Sequence, residues 1–189
     1  MRRTAIFVSK EPPCRRYRCS IVQIRNLTVE DAAEWWRLRL EALQREPRAF
    51  SASLEDHRQL SLETVAARIG SPGPERFVAG AFLEGRLVGT AGFYRESGCK
   101  LLHKGHVWGV YVSESLRGAG TGRALMLSVI RQARALPGLE QIVICVASSQ
   151  HVARRLYESL GFVAFGREPR ALRIDGEYLD EDYLLLMLS

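Results

Sequence analysis

The sequence predicts an α/β fold: a mixed, mostly antiparallel sheet of about seven strands with helices on both faces, in one domain. Three observations carry that expectation. The first is a β-branched and aromatic run at 106–112 (HVWGVYV), then a glycine-rich segment at 116–122, then a helical run from Ala124 to Leu136. The second is a continuous apolar run at 141–147 (QIVICVA), the pattern of a strand buried on both faces, followed at once by a helical stretch. The third is Asp175-Gly176 between two long segments near the end of the chain, a strong hairpin-turn signal.

Taken in order, the domain opens with a short strand from Ile21 to Arg25. Thr28, three residues before Asp31, makes a helix start of the capping-box kind. The helix that follows runs to about Arg45, burying Ala32, Trp35, Trp36, Leu38, Leu40 and Leu43 to varying extents, and Pro47 ends it. Ser61 caps a second, shorter helix to Ile69, which the run from Gly70 to Pro74 stops. Phe77 to Leu83 and Leu87 to Tyr94 read as strands joined through Glu84-Gly85-Arg86. His103 to Val112 is the next strand, and Pro137-Gly138 separates the helix after the glycine loop from the apolar strand. The resulting order is β-αα-βββ-α-β-α-ββ, without repeats or low-complexity tracts.

At 189 residues the chain has the length of one ordinary domain. No apolar run approaches the roughly 18 residues needed to cross a membrane. Four cysteines, at 14, 19, 99 and 145, contain no C-x-x-C pair and fit neither zinc nor redox spacing. Cys145 reads as a buried small hydrophobe, and a reducing cytoplasm as the simplest compartment. The net charge of +6 resembles a nucleic-acid signal until it is located. Residues 1–20 carry Arg2, Arg3, Lys10, Arg15, Arg16 and Arg18 against Glu11 alone, leaving the domain at 21–189 close to neutral. The basicity therefore belongs to an N-terminal extension, read as disordered or as a start placed too far upstream, ahead of a DNA-binding arm or a transit peptide. Neither nucleic acid nor membrane is an expected partner of the domain.

A strand, a glycine-rich loop and a helix N-terminus in succession make a site for an anionic phosphate group, because the first N–H groups of the helix have no intrahelical partner. Spacing separates the candidates. The dinucleotide fingerprint needs glycine at position 123, which is Arg123, and no Gly-Lys-Ser or Gly-Lys-Thr occurs for a nucleoside triphosphate loop. What remains is Arg-x-x-Gly-x-Gly at 117–122, which with its flanking Val-Tyr-Val and Arg-Ala-Leu resembles the acetyl-CoA loop of the GNAT superfamily of N-acetyltransferases. A second block supports the resemblance: Ala153, Leu156, Tyr157, Glu158, Gly161 and Phe162 match the pattern Asn-x-x-Ala-x-x-Leu-Tyr-Glu-x-x-Gly-Phe, with Gln150 in the place of the asparagine. The likeness extends from about Ile21 to Leu188.

The resemblance implies the GNAT fold, acetyl-CoA as co-substrate, no metal, and acetyl transfer to a primary amine by direct attack on the thioester. By the same resemblance, backbone groups of Val110, Tyr111 and Val112 hold the pantetheine arm. The segment Arg117, Gly118, Ala119, Gly120, Thr121, Gly122 and Arg123 holds the pyrophosphate, with Gln150 nearby. Tyr157 stands where relatives place a general acid beside the coenzyme sulfur. His106 lies where many place a glutamate base, and an imidazole can accept a proton near neutrality, directly or through water. A strand-edge histidine with a structural hydrogen bond is the competing reading. Alternation puts His106 on one face with Trp108 and Val110, and His103 on the other unless a bulge intervenes; His57 and His151 have weaker cases. Asp175, Glu177, Asp180, Glu181 and Asp182 crowd the closing hairpin, either steering a cationic acceptor or simply solvated. The acceptor stays open among amino acids, polyamines, aminoglycosides and protein amines. A non-catalytic acyl-CoA sensor of the same fold is the alternative function, and unpaired sheet edges allow a homodimer.

Overall fold

Local signals place most of the elements. In the computed structural model, which describes residues 22–70 and 73–188, strand β1 (Gln23–Asn26) leads to Thr28, whose N–H donates to the Asp31 carboxylate at 2.8 Å. This reciprocal cap opens a short 3-10 turn that runs directly into α1 (Ala32–Arg45). A short helix not expected from the sequence, α2 (Leu54–Arg58), is capped by Ser53, and α3 (Leu62–Ile69) is capped by Ser61 as expected. β2 (Arg76–Leu83) and β3 (Arg86–Arg95) form a hairpin whose turn is only Glu84 and Gly85, both at positive φ. β4 (Lys104–Val112) follows, then α4 (Thr121–Arg134), which starts three residues earlier than expected, inside the glycine motif. β5 (Gln141–Ala147), α5 (His151–Ser159), β6 (Val163–Ile174) and β7 (Glu177–Met187) complete the chain, the last two turning at Asp175-Gly176. The basic extension, with Cys14 and Cys19, lies outside the described residues.

The seven strands form one sheet in the order β1-β2-β3-β4-β5-β7-β6, antiparallel everywhere except between β4 and β5. On one face α4 and α5 cover a core that includes Phe93, Val107, Leu125, Met126, Ile142, Ile144, Tyr157, Phe162 and Leu184. On the other, α1 and α3 cover a second core of Trp35, Leu38, Val65, Ile69, Val78, Phe82, Leu87 and Tyr111. Along α1 the apolar residues are buried to varying extents, Trp36 and Leu40 only partly, and Arg39 is buried with them.

Two irregularities of β4 shape everything near it. The register against β3 slips between Thr90↔Tyr111 and Gly92↔Trp108, and Gly109 inside the slip has a φ of +61°. This is a bulge, which turns the strand over by one residue. Val107 and Val110 both pack toward α4, whereas Trp108 and Tyr111 both pack toward α1. The expectation that His106, Trp108 and Val110 share a face is therefore corrected: His106 pairs across the strand with Tyr94 on the α1 side, and Val110 faces away. Secondly, the parallel ladder to β5 covers four pairs only, from Lys104↔Gln141 to Val107↔Ile144. Beyond it Trp108–Val112 pair with β3 alone, and β4 and β5 fork apart.

Cys145 is a second correction. It is exposed, although Val143 and Ala147 on the same side of β5 are buried. Apolar composition alone does not reveal which residue of a strand reaches solvent.

Candidate active site

The mouth of the fork is built by the end of β4 and the start of α4. Gly118 and Gly120 lie at φ +76° and +82°, a left-handed backbone that a side chain rarely adopts. A Cβ at either would meet nothing within 4 Å, so conformation and not crowding calls for glycine there. Gly122 differs: it sits in the first turn of α4 without a positive φ, and a Cβ would make ordinary contact with Leu156 at 3.4 Å and Val112 at 3.7 Å. No side chain caps α4 and its first turn holds no acidic residue, so the positive end of a 14-residue helix is presented to the fork.

The flanking side chains mostly serve the scaffold. Arg117 donates from Nη1 to Glu46 Oε1 at 2.7 Å and from Nε to the Val112 carbonyl at 3.1 Å, tying the loop to the end of α1. Tyr111 is buried and donates its hydroxyl to Glu41 at 3.1 Å; burial, with that carboxylate, pushes its phenol up to about 12. Arg123 donates to Ser159 at 2.9 Å, joining α4 to α5. Thr121 is buried, Ala119 is exposed in the loop, and Gln150 is the N-cap residue of α5 without a side-chain capping bond. Tyr157 is 5% exposed, tilted against Phe162 with ring centroids 6.1 Å apart, and desolvation raises its phenol well above the ordinary range.

His106 lies one residue before the fork opens. Its Nε2 is 2.9 Å from Glu96 Oε1, and its ring stacks on Tyr94 at 5.0 Å. Glu96 stands just past β3, and its role as the partner of His106 could not be read from the sequence, because the turn between β3 and β4 had no predicted geometry. His103 lies just before β4, its carbonyl accepting from Gln141; His151 is exposed at the start of α5; His57 is buried under α1.

Along the same face, past the fork, stand Cys145, Tyr183, Glu168 and Glu181. Tyr183 donates its hydroxyl to Glu168 at 2.5 Å. Burial, with Glu168 nearby, raises the Glu181 carboxyl, and partial burial plus these two carboxylates push the Cys145 thiol up to about 11. The acidic hairpin does not act as one patch. Asp182 is 3% exposed and accepts from Arg154 and Arg167, both at 2.6 Å, which holds its carboxyl below the usual range. Asp180 accepts from the Arg170 N–H, and Glu177 pairs with Arg48 at 2.7 Å, pinning the hairpin to the segment after α1. Glu181 is left facing the fork side of the sheet.

A sheet forked at a single parallel pair, with a left-handed glycine loop and an uncapped helix at its mouth, defines an acyl-CoA-binding acyltransferase fold. The model of the acetyltransferase (GNAT) family matches residues 31–162, and the chain belongs to that family. A mycothiol acetyltransferase of Thermobispora bispora is 32% identical over 141 residues, which cover 70% of this chain and 43% of that protein. Thus the match spans less than half the length of that relative. Among solved structures, a GNAT-family acetyltransferase from Streptococcus pneumoniae superposes with a TM-score of 0.79 at 22% identity, covering 88% of this chain and 99% of that one. A putative acetyltransferase from Salmonella typhimurium, solved with its cofactor acetyl-CoA, gives 0.73 at 24% identity, covering 90% and 95%. These likenesses show the fold. No helix among the described residues is long and apolar enough to cross a membrane.

Proposed function

We propose that the protein transfers the acetyl group of acetyl-CoA to a primary amine, with the fork between β4 and β5 as the site. The observation that carries this reading is the fork itself: a strand with one free side, Trp108–Val112, beside the uncapped start of α4. Acetyl-CoA supplies an activated acyl group as a thioester. Toward it, the free backbone groups of Val110, Tyr111 and Val112 bind the extended arm as an added strand would, and one N–H polarises the carbonyl. The N–H groups from Gly118 to Arg123 receive the pyrophosphate, with Arg117 fixing the loop and Gln150 bordering it.

His106 takes the proton of the incoming ammonium. Its Nε2–H is donated to Glu96, which leaves Nδ1 as the acceptor and orients the ring. The freed amine forms the new C–N bond as the C–S bond breaks, and the second proton that its nitrogen sheds on becoming an amide passes to the departing thiolate. Tyr157 donates its hydroxyl to the departing sulfur; a phenol raised by burial surrenders a proton reluctantly, so it acts chiefly as a hydrogen-bond donor. Acid and base lie on opposite faces of the sheet, in communication only through the fork. Acetyl-CoA consumption is measured as thiol release against a panel of amines. Release with at least one amine is expected; binding of acetyl-CoA without release from any would instead make the protein an acyl-CoA sensor.

A further inference from the structure

The buried stripe of α1 contains a charge. Arg39 is 8% exposed, and its Nη1 has no hydrogen-bond partner. Its guanidinium lies over the ring of Phe50 at 4.3 Å and reaches the bulge of β4, where a Cβ on Gly109 would stand 3.8 Å from Nη1. Desolvation, with the like charge of Arg68, lowers it to about 10, so it remains a cation at neutral pH. Beside it His57 is 3% exposed, and burial together with Arg39 and Arg68 lowers it to about 4, which makes it neutral; its ring donates to the Trp36 backbone, so the unpartnered Nε2 is an acceptor. Trp35 meets the His57 ring edge-on at 5.6 Å and Trp36 stacks on it at 6.5 Å, and both indole N–H groups are buried without acceptors. A buried cation without a counter-charge and buried donors without acceptors are each costly. Among the described residues no carboxylate bears on Arg39, which leaves a buried cation that an anion would satisfy.

We propose that Arg39 seats the carboxylate of the amine acceptor, which makes the acceptor a free α-amino acid. This rests on the acetyl-transfer reading above. A guanidinium fork matches a planar carboxylate, and the aromatic wall of Trp35, Trp36, Phe50 and Trp108 suits an amino acid better than a polyphosphate or a polyamine. Nη1 lies against the bulge at the fork, so a carboxylate held there leaves its own α-amine within reach of the thioester. A terminal amine on a long chain would overshoot. A protein N-terminus offers an amide at that position and no charge. On the far flank Glu96, Glu168 and Glu181 give the ammonium end a favourable approach.

The test uses the full-length protein and matched probes: L-α-amino acids, their carboxamides and the corresponding decarboxylated amines. Thiol release should favour the acids by about 10²-fold or more in kcat/KM over both analogues. In Arg39→Met that preference should vanish while the melting temperature holds or rises, since a buried unpaired charge is removed; Arg39→Lys should retain part of the preference. Equal turnover of amides and amines by the wild type would overturn the carboxylate assignment and leave acetyl transfer standing. Thiol release from no amine would instead defeat the acetyl-transfer reading, and a second readout then decides the carboxylate site. All three tryptophans of the chain, Trp35, Trp36 and Trp108, stand in this region. Saturable quenching by amino acids in protein saturated with coenzyme A, lost in Arg39→Met, supports the site; no saturable change with any amino acid overturns it.

Discussion

The carboxylate of Asp31 accepts from both terminal nitrogens of Arg25 at 2.7 Å, from the Thr28 N–H at 2.8 Å and from the Thr28 hydroxyl at 3.2 Å. Arg25 chiefly, with Thr28, holds its pKa below the ordinary aspartate value. A depressed carboxylate contributes stability that is present above the unfolded-state pKa and lost as pH falls through the folded one. Asp31→Asn should therefore lower stability by about 1 kcal/mol at pH 7, at the low end for a cap because Arg25 is half-exposed. Thermal melts from pH 7 downward should show that deficit shrinking as the wild type itself becomes protonated. At the site, Tyr157→Phe should preserve coenzyme affinity by calorimetry and reduce kcat by about 10²-fold. His106→Gln should lower kcat/KM by about 10²-fold, and Glu96→Gln by less, since the imidazole that it orients remains. Unaltered kcat/KM in the His106 variant would assign that histidine to structure.

At the scale of elements, the glycine loop and α4 make the clearest case. Gly120→Glu forces a side chain into a left-handed conformation, at about 1–2 kcal/mol, and sets a carboxylate at a helix end that favours anions. Circular dichroism should report a folded protein, and calorimetry no measurable acetyl-CoA binding; retained affinity would remove the pyrophosphate assignment. Elements governed by neighbours in sequence were legible beforehand. Thr28 with Asp31, Ser61, and Asp175-Gly176 each act over two to four residues, and each appears where the pattern put it. The five residues of α2 were too few for any periodicity to register. The bulge at Gly109 was illegible for another reason: one glycine in a strand pattern does not announce whether β3 will slip against it. Hence the misplacement of Val110 relative to His106.

For the whole molecule, the groups that gather around the fork come from distant parts of the chain: Arg39 from α1, His57 from α2, Glu96 after β3, His106 from β4, and Glu181 from β7. Motifs tied to the coenzyme could be found in the sequence because they are local. The acceptor side could not, because its chemistry exists only once the sheet has assembled. The basic extension carries no motif of the site, so deletion of residues 1–19 should leave thiol release within about two-fold and shift the melting temperature by no more than the 2–4 °C that 1 kcal/mol represents at this size. A large loss on differential scanning calorimetry would mean that the extension packs on the domain.

The fork has a further consequence, for solubility. A strand with unpaired N–H and C=O groups is an invitation to any other strand, and proteins usually blunt such edges. The outer edge of this sheet follows that practice, since β6 carries Arg167, Glu168, Pro169, Arg170 and Arg173 along its length. The two inner edges, Trp108–Val112 and Cys145–Ala147, carry no comparable row of guards. They are protected by facing one another, in a wedge closed at one end by the ladder and bounded at the other by the glycine loop. A polypeptide strand would have to terminate inside the wedge to pair there. A slender extended molecule that ends in a reactive group does so by its nature. The same narrowing that keeps foreign chains from nucleating aggregation on these edges therefore sorts ligands by shape.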